Sequence, residues 1–250
     1  MVCLSLDTTT RGGSVAFIVD GLVVDERRGD ETRSHAERLP AELIDVASAH
    51  GAAVKDVDVF AVAAGPGSFT GLRIGIATVQ GLAFVRSRRV VAVSALDALA
   101  FLAAESVAPG DLVAAWIDAQ RRDVYAALYR VEKAAAFTPE RLTTLAEPIV
   151  GDPSAILDAW RREQRLPVVC SGDGAVRYAT TIAAQAPTVR VGGAPLLAGA
   201  IGRVAFARAQ RGEAVHPAAI QPLYVRRPDA EIDRERKSIT TNTKDTTSAC

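Results

Sequence analysis

Gly65-Pro66-Gly67-Ser68-Phe69-Thr70-Gly71-Leu72-Arg73-Ile74-Gly75 follows the apolar run Val57 to Ala64, so a buried strand feeds through a glycine-proline break into a helix. Ser68 is placed to cap that helix, which the pattern extends to about Arg86. Gly67, Gly71 and Gly75 recur at i,i+4 spacing and strip one helix face to bare backbone. An interior helix glycine costs roughly 0.5–1 kcal/mol relative to alanine, so two of them one turn apart call for a packing or ligand reason. Three reasons fit: close packing on the helix's own sheet, a partner helix, or a phosphate received at the helix N-terminus. The run is not a P-loop, because no Lys-Ser or Lys-Thr pair follows the glycines. Nor is it a dinucleotide fingerprint, whose glycines follow the first strand.

Outward from this motif the chain reads as two similar halves. Val2 to Leu6 is an apolar strand ending in the polar turn Asp7 to Gly13. Ser14 to Val19 and Leu22 to Glu26 form a hairpin about Asp20-Gly21. A helix from Ser34 or His35 to His50, the strand 57–64, the helix 68–86, the strand Val90 to Val93 and the helix Ala95 to Ala104 complete the first half. The second half opens the same way, with strand Leu112 to Ile117, the polar turn Asp118 to Asp123 and a returning strand Val124 to Val131. Asp7 and Asp118 thus occupy matching places. Next come a strand at Leu142 to Leu145, a helix Pro153 to Arg162, a strand Val168 to Ser171, a helix Ala175 to Ala184, a strand Thr188 to Val191 and a helix Pro195 to Arg211. This order describes a duplicated α/β chain of two βββαβα-type subdomains with mixed sheets, residues 1–106 and 107–228, followed by a polar tail 229–250 expected to be disordered.

Composition narrows the function classes. The 250 residues are 49% hydrophobic and carry a formal net charge of zero, which argues against holding nucleic acid by bulk electrostatics alone. Arg86 to Arg89, Arg161-Arg162 with Arg165, and Arg226-Arg227 are local basic clusters that read as solvated loops or helix ends. Cys3, Cys170 and Cys250 form no C-x-x-C pair, and His35, His50 and His216 are scattered, so a structural zinc site is not expected. No leader or membrane span is apparent; a soluble, cytoplasmic protein is the expectation.

Leu6-Asp7-Thr8-Thr9, Ser34-His35-Ala36-Glu37-Arg38-Leu39-Pro40, the Gly65 to Gly75 run continuing through Gln80-Gly81-Leu82-Ala83, Val93-Ser94-Ala95-Leu96, Ile117-Asp118-Ala119-Gln120 and Gln221-Pro222-Leu223-Tyr224-Val225-Arg226 together resemble the bacterial TsaB family. The resemblance spans most of residues 1–228. It implies the duplicated actin-like (ribonuclease H-like, ASKHA) fold and an accessory role in the machinery that makes N6-threonylcarbamoyladenosine at position 37 of tRNAs reading ANN codons. It also implies partners: a TsaD-type catalytic subunit in a heterodimer, a TsaE-type ATPase bound across it, a TsaC-type synthase supplying the threonylcarbamoyl-adenylate, the tRNA substrate, and a homodimer of the isolated chain. ATP or ADP and Mg2+ then belong to the partner complex, and this chain binds no cofactor tightly.

The TsaD-type relatives carry a metal-binding H-x-x-x-H on the helix after the third strand. In this sequence His35 is followed four residues on by Leu39, so the second imidazole is missing. The expectation is a non-catalytic partner subunit whose interface is drawn from His35, Leu39, Leu43, Gly71, Leu72, Gly75 and Val79. Asp7, Thr8, Gly67, Ser68 and Asp118 are the candidates for any anion or nucleotide contact. A rival reading makes the chain an actin-fold phosphotransfer or nucleotide-hydrolysing enzyme with Asp7 and Asp118 in the cleft, although each aspartate is also suited to bonding the N–H groups of its own turn. A second rival, protease-like or chaperone-like work, lacks a nucleophile triad or metal pair, since Gly-Pro-Gly-Ser-Phe is not G-x-S-x-G.

Overall fold

The computed structural model describes residues 1–10 and 12–225. Five strands, β1 (Val2–Asp7), β2 (Ser14–Val19), β3 (Leu22–Arg28), β4 (Val59–Gly65) and β5 (Arg89–Ser94), form a mixed sheet in the order β3-β2-β1-β4-β5. β1 to β3 are antiparallel, whereas β4 and β5 join β1 in parallel. The second sheet repeats this plan. Its strands are β6 (Leu112–Asp118), β7 (Val124–Val131), β8 (Leu142–Gly151), β9 (Val169–Ser171) and β10 (Arg190–Val191), ordered β10-β9-β6-β7-β8, so β6 takes the place of β1 and β9 that of β4.

Strand alternation divides each sheet into two buried faces. Leu4, Leu6, Val15, Phe17, Phe60 and Val62 point outward under helices α1 (His35–Ser48) and α2 (Phe69–Val85). Cys3, Ala16, Ile18, Ala61 and Ala63 point inward, onto a layer made by α3 (Ala95–Ala103) and α7 (Ala198–Gln210). That layer is shared with Val113, Ala115 and Ile117 of β6 and with Tyr129 of β7. Trp116 and Leu128 face the other way, beneath α4 (Pro153–Arg162), α5 (Asp173–Arg177) and α6 (Ala179–Gln185). Coverage on both faces explains why β4 reads as one continuous apolar run.

The two halves exchange helices across the expected boundary near residue 106. α3 packs on β6 of the second sheet, while α7 lies against β1, β2 and β4 of the first. Small residues permit that approach: a Cβ on Gly202 would stand 2.3 Å from Ile18 Cδ1. The same contact moves the start of the last helix from Pro195 to Ala198. Ala198 N donates to Ser14 Oγ at 3.0 Å and Gly199 N to Glu26 Oε1 at 2.7 Å, so side chains of the first sheet satisfy the helix's opening N–H groups. The helix expected at 175–184 is two short ones parted at Tyr178, and the strand expected at 142–145 continues to Gly151. The tail 229–250, Arg11, Cys250 and Arg226-Arg227 lie outside the described residues. Among the described residues no helix is long and apolar enough to cross a membrane.

Candidate partner-binding site

The glycine motif closes against the first turn of its own chain. A Cβ on Gly67 would meet Thr9 Cβ at 2.5 Å, and on Gly75 it would meet Thr8 Oγ1 at 2.4 Å; on Gly71 it would run into the Thr8 carbonyl oxygen. Ser68 N donates to Thr9 O at 3.1 Å, and the Ser68 hydroxyl caps α2 by accepting from Gly71 N at 3.2 Å. The peptide bond Gly65–Pro66 is cis. Thr8 is fully buried, so β1's turn is wedged between β4 and the bare face of α2. Of the three readings open for this face, the structure realises close packing on the chain's own sheet and its turn.

The expected contact residues are therefore largely core. Leu39, Leu43, Leu72 and Val79 are 0–1% exposed, and Gly71 and Gly75 are buried with them. In this chain they present almost no area to a partner. His35 opens α1 half-buried, its ring Nε2 beside Gly13 without a hydrogen-bond partner. Burial, with Arg38 adding to it, lowers its pKa. His50 lies elsewhere, stacked on Phe17 with Nε2 3.1 Å from Asp25 Oδ2.

Among the candidate anion contacts, Asp7, Ser68 and Asp118 accept hydrogen bonds from within the chain, whereas the buried Thr8 hydroxyl has no partner. Asp7 is 1% exposed; its Oδ1 accepts from Thr9 N at 2.8 Å and Thr9 Oγ1 at 2.5 Å, and its Oδ2 from Thr10 Oγ1 at 3.2 Å. Burial raises its pKa despite these donors, and Asp173 adds to the rise. Asp118 accepts from Gln120 N at 3.1 Å, Gln120 Nε2 at 2.9 Å and Arg177 Nη1 at 2.8 Å, while its own N–H donates to Asp173 Oδ1 at 3.0 Å. Each aspartate thus holds its own turn, and Thr8 and Thr9 pack directly against the glycines of α2 and its entry. Among the described residues no group of three or more His, Cys, Asp or Glu side chains is placed to hold a metal ion.

What α1 and α2 leave to solvent is a different set of residues. Thr70, Arg73, Ala77, Gly81 and Phe84 fall at i,i+3 and i,i+4 spacing along the outer side of α2, and all are exposed, Phe84 at 67%. A Cβ on Gly81 would meet nothing within 4 Å. Ala36, Pro40, Ala41 and Ile44 make the outer side of α1, which packs beside α2. The two outer sides give an apolar surface with few charges. Gly81 is out of step with Gly67, Gly71 and Gly75, and that phase change is the sequence signal of this surface.

A strap from the end of the described chain frames this surface. Val215 and Val90 exchange backbone hydrogen bonds at 2.9 Å, Gln80 Nε2 donates to the Pro217 and Ile220 carbonyls at 2.9 and 3.3 Å, and Leu223 N donates to Ala64 O at 2.7 Å. The segment returns from the second half to lie along α2.

Comparison with known proteins supports a family assignment. A family model described as "TsaD: tRNA N6-adenosine threonylcarbamoyltransferase" matches residues 30–189. The chain is 36% identical over 132 residues to the tRNA threonylcarbamoyladenosine biosynthesis protein TsaB of Haemophilus influenzae, covering 50% of this chain and 52% of that protein. It is 33% identical over 148 residues to the TsaB protein of Escherichia coli, covering 59% and 63%. The chain thus spans about half to three-fifths of the curated relatives it matches. A Pseudomonas aeruginosa crystal structure, described as an uncharacterized protein with similarity to peptidase YeaZ, shares 31% identity at a TM-score of 0.72 over 90% of this chain and 99% of its own. A second structure, YeaZ from the same organism, gives 30% and 0.67 over 89% and 99%.

Proposed function

The chain belongs to the TsaB/YeaZ family of the actin-like ASKHA superfamily, and from that premise we propose that it is the accessory subunit of a threonylcarbamoyl-transfer complex acting on adenosine 37 of ANN-decoding tRNAs. It contributes by holding a TsaD-type catalytic subunit, through the outer sides of α1 and α2. The observation that carries this reading is the division of α2: its inner side is closed by Thr8, and its outer side is apolar, exposed and served by a glycine with open space above it. Exposed apolar faces of this kind mark association surfaces. A stable complex of this sort buries about 1,200–2,000 Å² in total.

The same surface serves a homodimer in the isolated chain, which the catalytic subunit displaces. A TsaE-type ATPase, with its nucleotide and Mg2+, binds the heterodimer, and a TsaC-type synthase supplies the activated threonylcarbamoyl group in the cytoplasm. Asp7 and Asp118 act in this reading as turn anchors, because their oxygens already accept from neighbouring N–H and O–H groups.

The test is reconstitution. The purified chain and a TsaD-type subunit, mixed with the ATPase, synthase and tRNA, should form a complex on size-exclusion chromatography and modify tRNA, and omission of the chain should remove modification. Nucleotide or tRNA turnover by the chain alone, abolished in Asp7→Ala, would overturn the proposal in favour of the enzymatic reading.

A further inference from the structure

Arg73 is held in place by two aromatic rings while most of its donors are left outward. Its Cζ lies 4.0 Å from the centroid of the Phe69 ring, and its Nε donates to the Tyr224 hydroxyl at 3.0 Å. Phe69 and Tyr224 themselves pack at 5.3 Å between centroids. Tyr224 arrives on the C-terminal strap, fixed one residue earlier by the Leu223 N to Ala64 O hydrogen bond. Among the described residues the two terminal NH2 groups of Arg73 have no hydrogen-bond or ion-pair partner. A free arginine loses several rotatable bonds on docking, whereas this one has already been ordered by its stack and its Nε bond.

We infer that Arg73, set by Phe69 and the strap residue Tyr224, is a preorganised receptor for a carboxylate of the catalytic partner subunit. The inference rests on the proposed heterodimer and names the chemistry of one of its contacts. A guanidinium fork suits two parallel N–H to O bonds with a planar carboxylate. Its surroundings favour protein over nucleic acid. Phe69, Tyr224 and Leu223 are each about two-fifths exposed around it, and an arginine among exposed aromatic and aliphatic groups is the composition of an interface hot spot. Arg73 is the one cation within α2, and Glu37 and Asp45 are the exposed charges of neighbouring α1. A phosphate backbone is held by several cations together, whereas among the described residues α1 and α2 themselves present Arg73 as their one exposed cation.

The experiment is calorimetric titration of a TsaD-type subunit into the full-length wild-type chain, Arg73→Ala, Arg73→Lys, Tyr224→Phe and the double variant, with each melting temperature recorded. Arg73→Ala should weaken binding about 30-fold or more, the scale of a hot spot. Arg73→Lys should recover little of it, because an ammonium lacks the fork. Tyr224→Phe should cost about threefold in the wild-type background and nothing in Arg73→Ala, since its effect passes through the arginine. Melting temperatures should stay close to wild type, the side chain being exposed. Wild-type affinity in Arg73→Ala overturns the inference and leaves the accessory role standing; absence of binding by the wild-type chain overturns both. Full affinity in Arg73→Lys, with tRNA retention by the complex lost in Arg73→Ala, assigns the fork to a phosphate and also overturns it.

Discussion

Gly75 and Gly81 lie on the same helix and meet opposite surroundings. A methyl group on Gly75 would stand 2.4 Å from the Thr8 hydroxyl, whereas one on Gly81 would project into open space. The first glycine exists because the chain's own turn needs its volume. The second packs against nothing among the described residues and costs the helix roughly 0.5–1 kcal/mol relative to alanine, and it lies on the side proposed to meet the partner. Identical residues on one helix can therefore face the chain's own packing or open space, and the neighbour a side chain would strike tells them apart.

The contrast is broken most forcefully at the inner position. Gly75→Leu should unfold the first half or lower its melting temperature by roughly 6–12 °C, from an overpacking cost of up to about 3 kcal/mol in a chain of this size. Circular dichroism melting reads the effect. A smaller test isolates its cause: Gly75→Ala should be destabilising alone, by about 1–3 kcal/mol, and largely rescued by Thr8→Ala. Thr8→Ala removes the atoms 2.4 and 3.0 Å from the new methyl, and the lost hydroxyl has no hydrogen-bond partner to forfeit.

Asp7 sharpens the inner side through pH. Burial raises its pKa from 3.8, so the folded state binds the proton more tightly than the unfolded state does. The stability tied to this proton is fully present below about pH 3.8 and declines as pH rises through the raised folded value. The melting-temperature difference between wild type and Asp7→Asn should therefore move against wild type across that rise, then level off. A flat difference would show the carboxyl to be unperturbed. The outer side should give the mildest change: Gly81→Ala should raise stability by about 0.5–1 kcal/mol in the monomer, because only helix propensity is altered.

Much of this was legible before any coordinates. The duplicated strand order, the Ser68 cap and the matching aspartate turns follow from local pattern, and the structure shows two sheets of equivalent order. The exchange of α3 and α7 between halves was not legible, since Ser14 and Glu26 meet the start of α7 across more than 170 residues of chain. At the site, periodicity singled out the sides of α1 and α2 that the structure buries. Leu39, Leu43, Leu72 and Val79 share an apolar side, and an apolar side packs on its own sheet before it is available to a partner. Arg38 shows the same limit: as a charged residue it reads as surface, yet it is buried, bonding the Gly12 carbonyl and Glu42.

If the outer side of α2 is an assembly surface independent of the fold, Gly81→Leu separates binding from stability. A TsaD-type subunit is titrated into this variant after its melting curve has been recorded. The prediction is a melting temperature at or above that of wild type together with binding weakened at least about tenfold, because the side chain fills space a partner backbone needs. A variant that melts normally and binds its partner with wild-type affinity would contradict the claim.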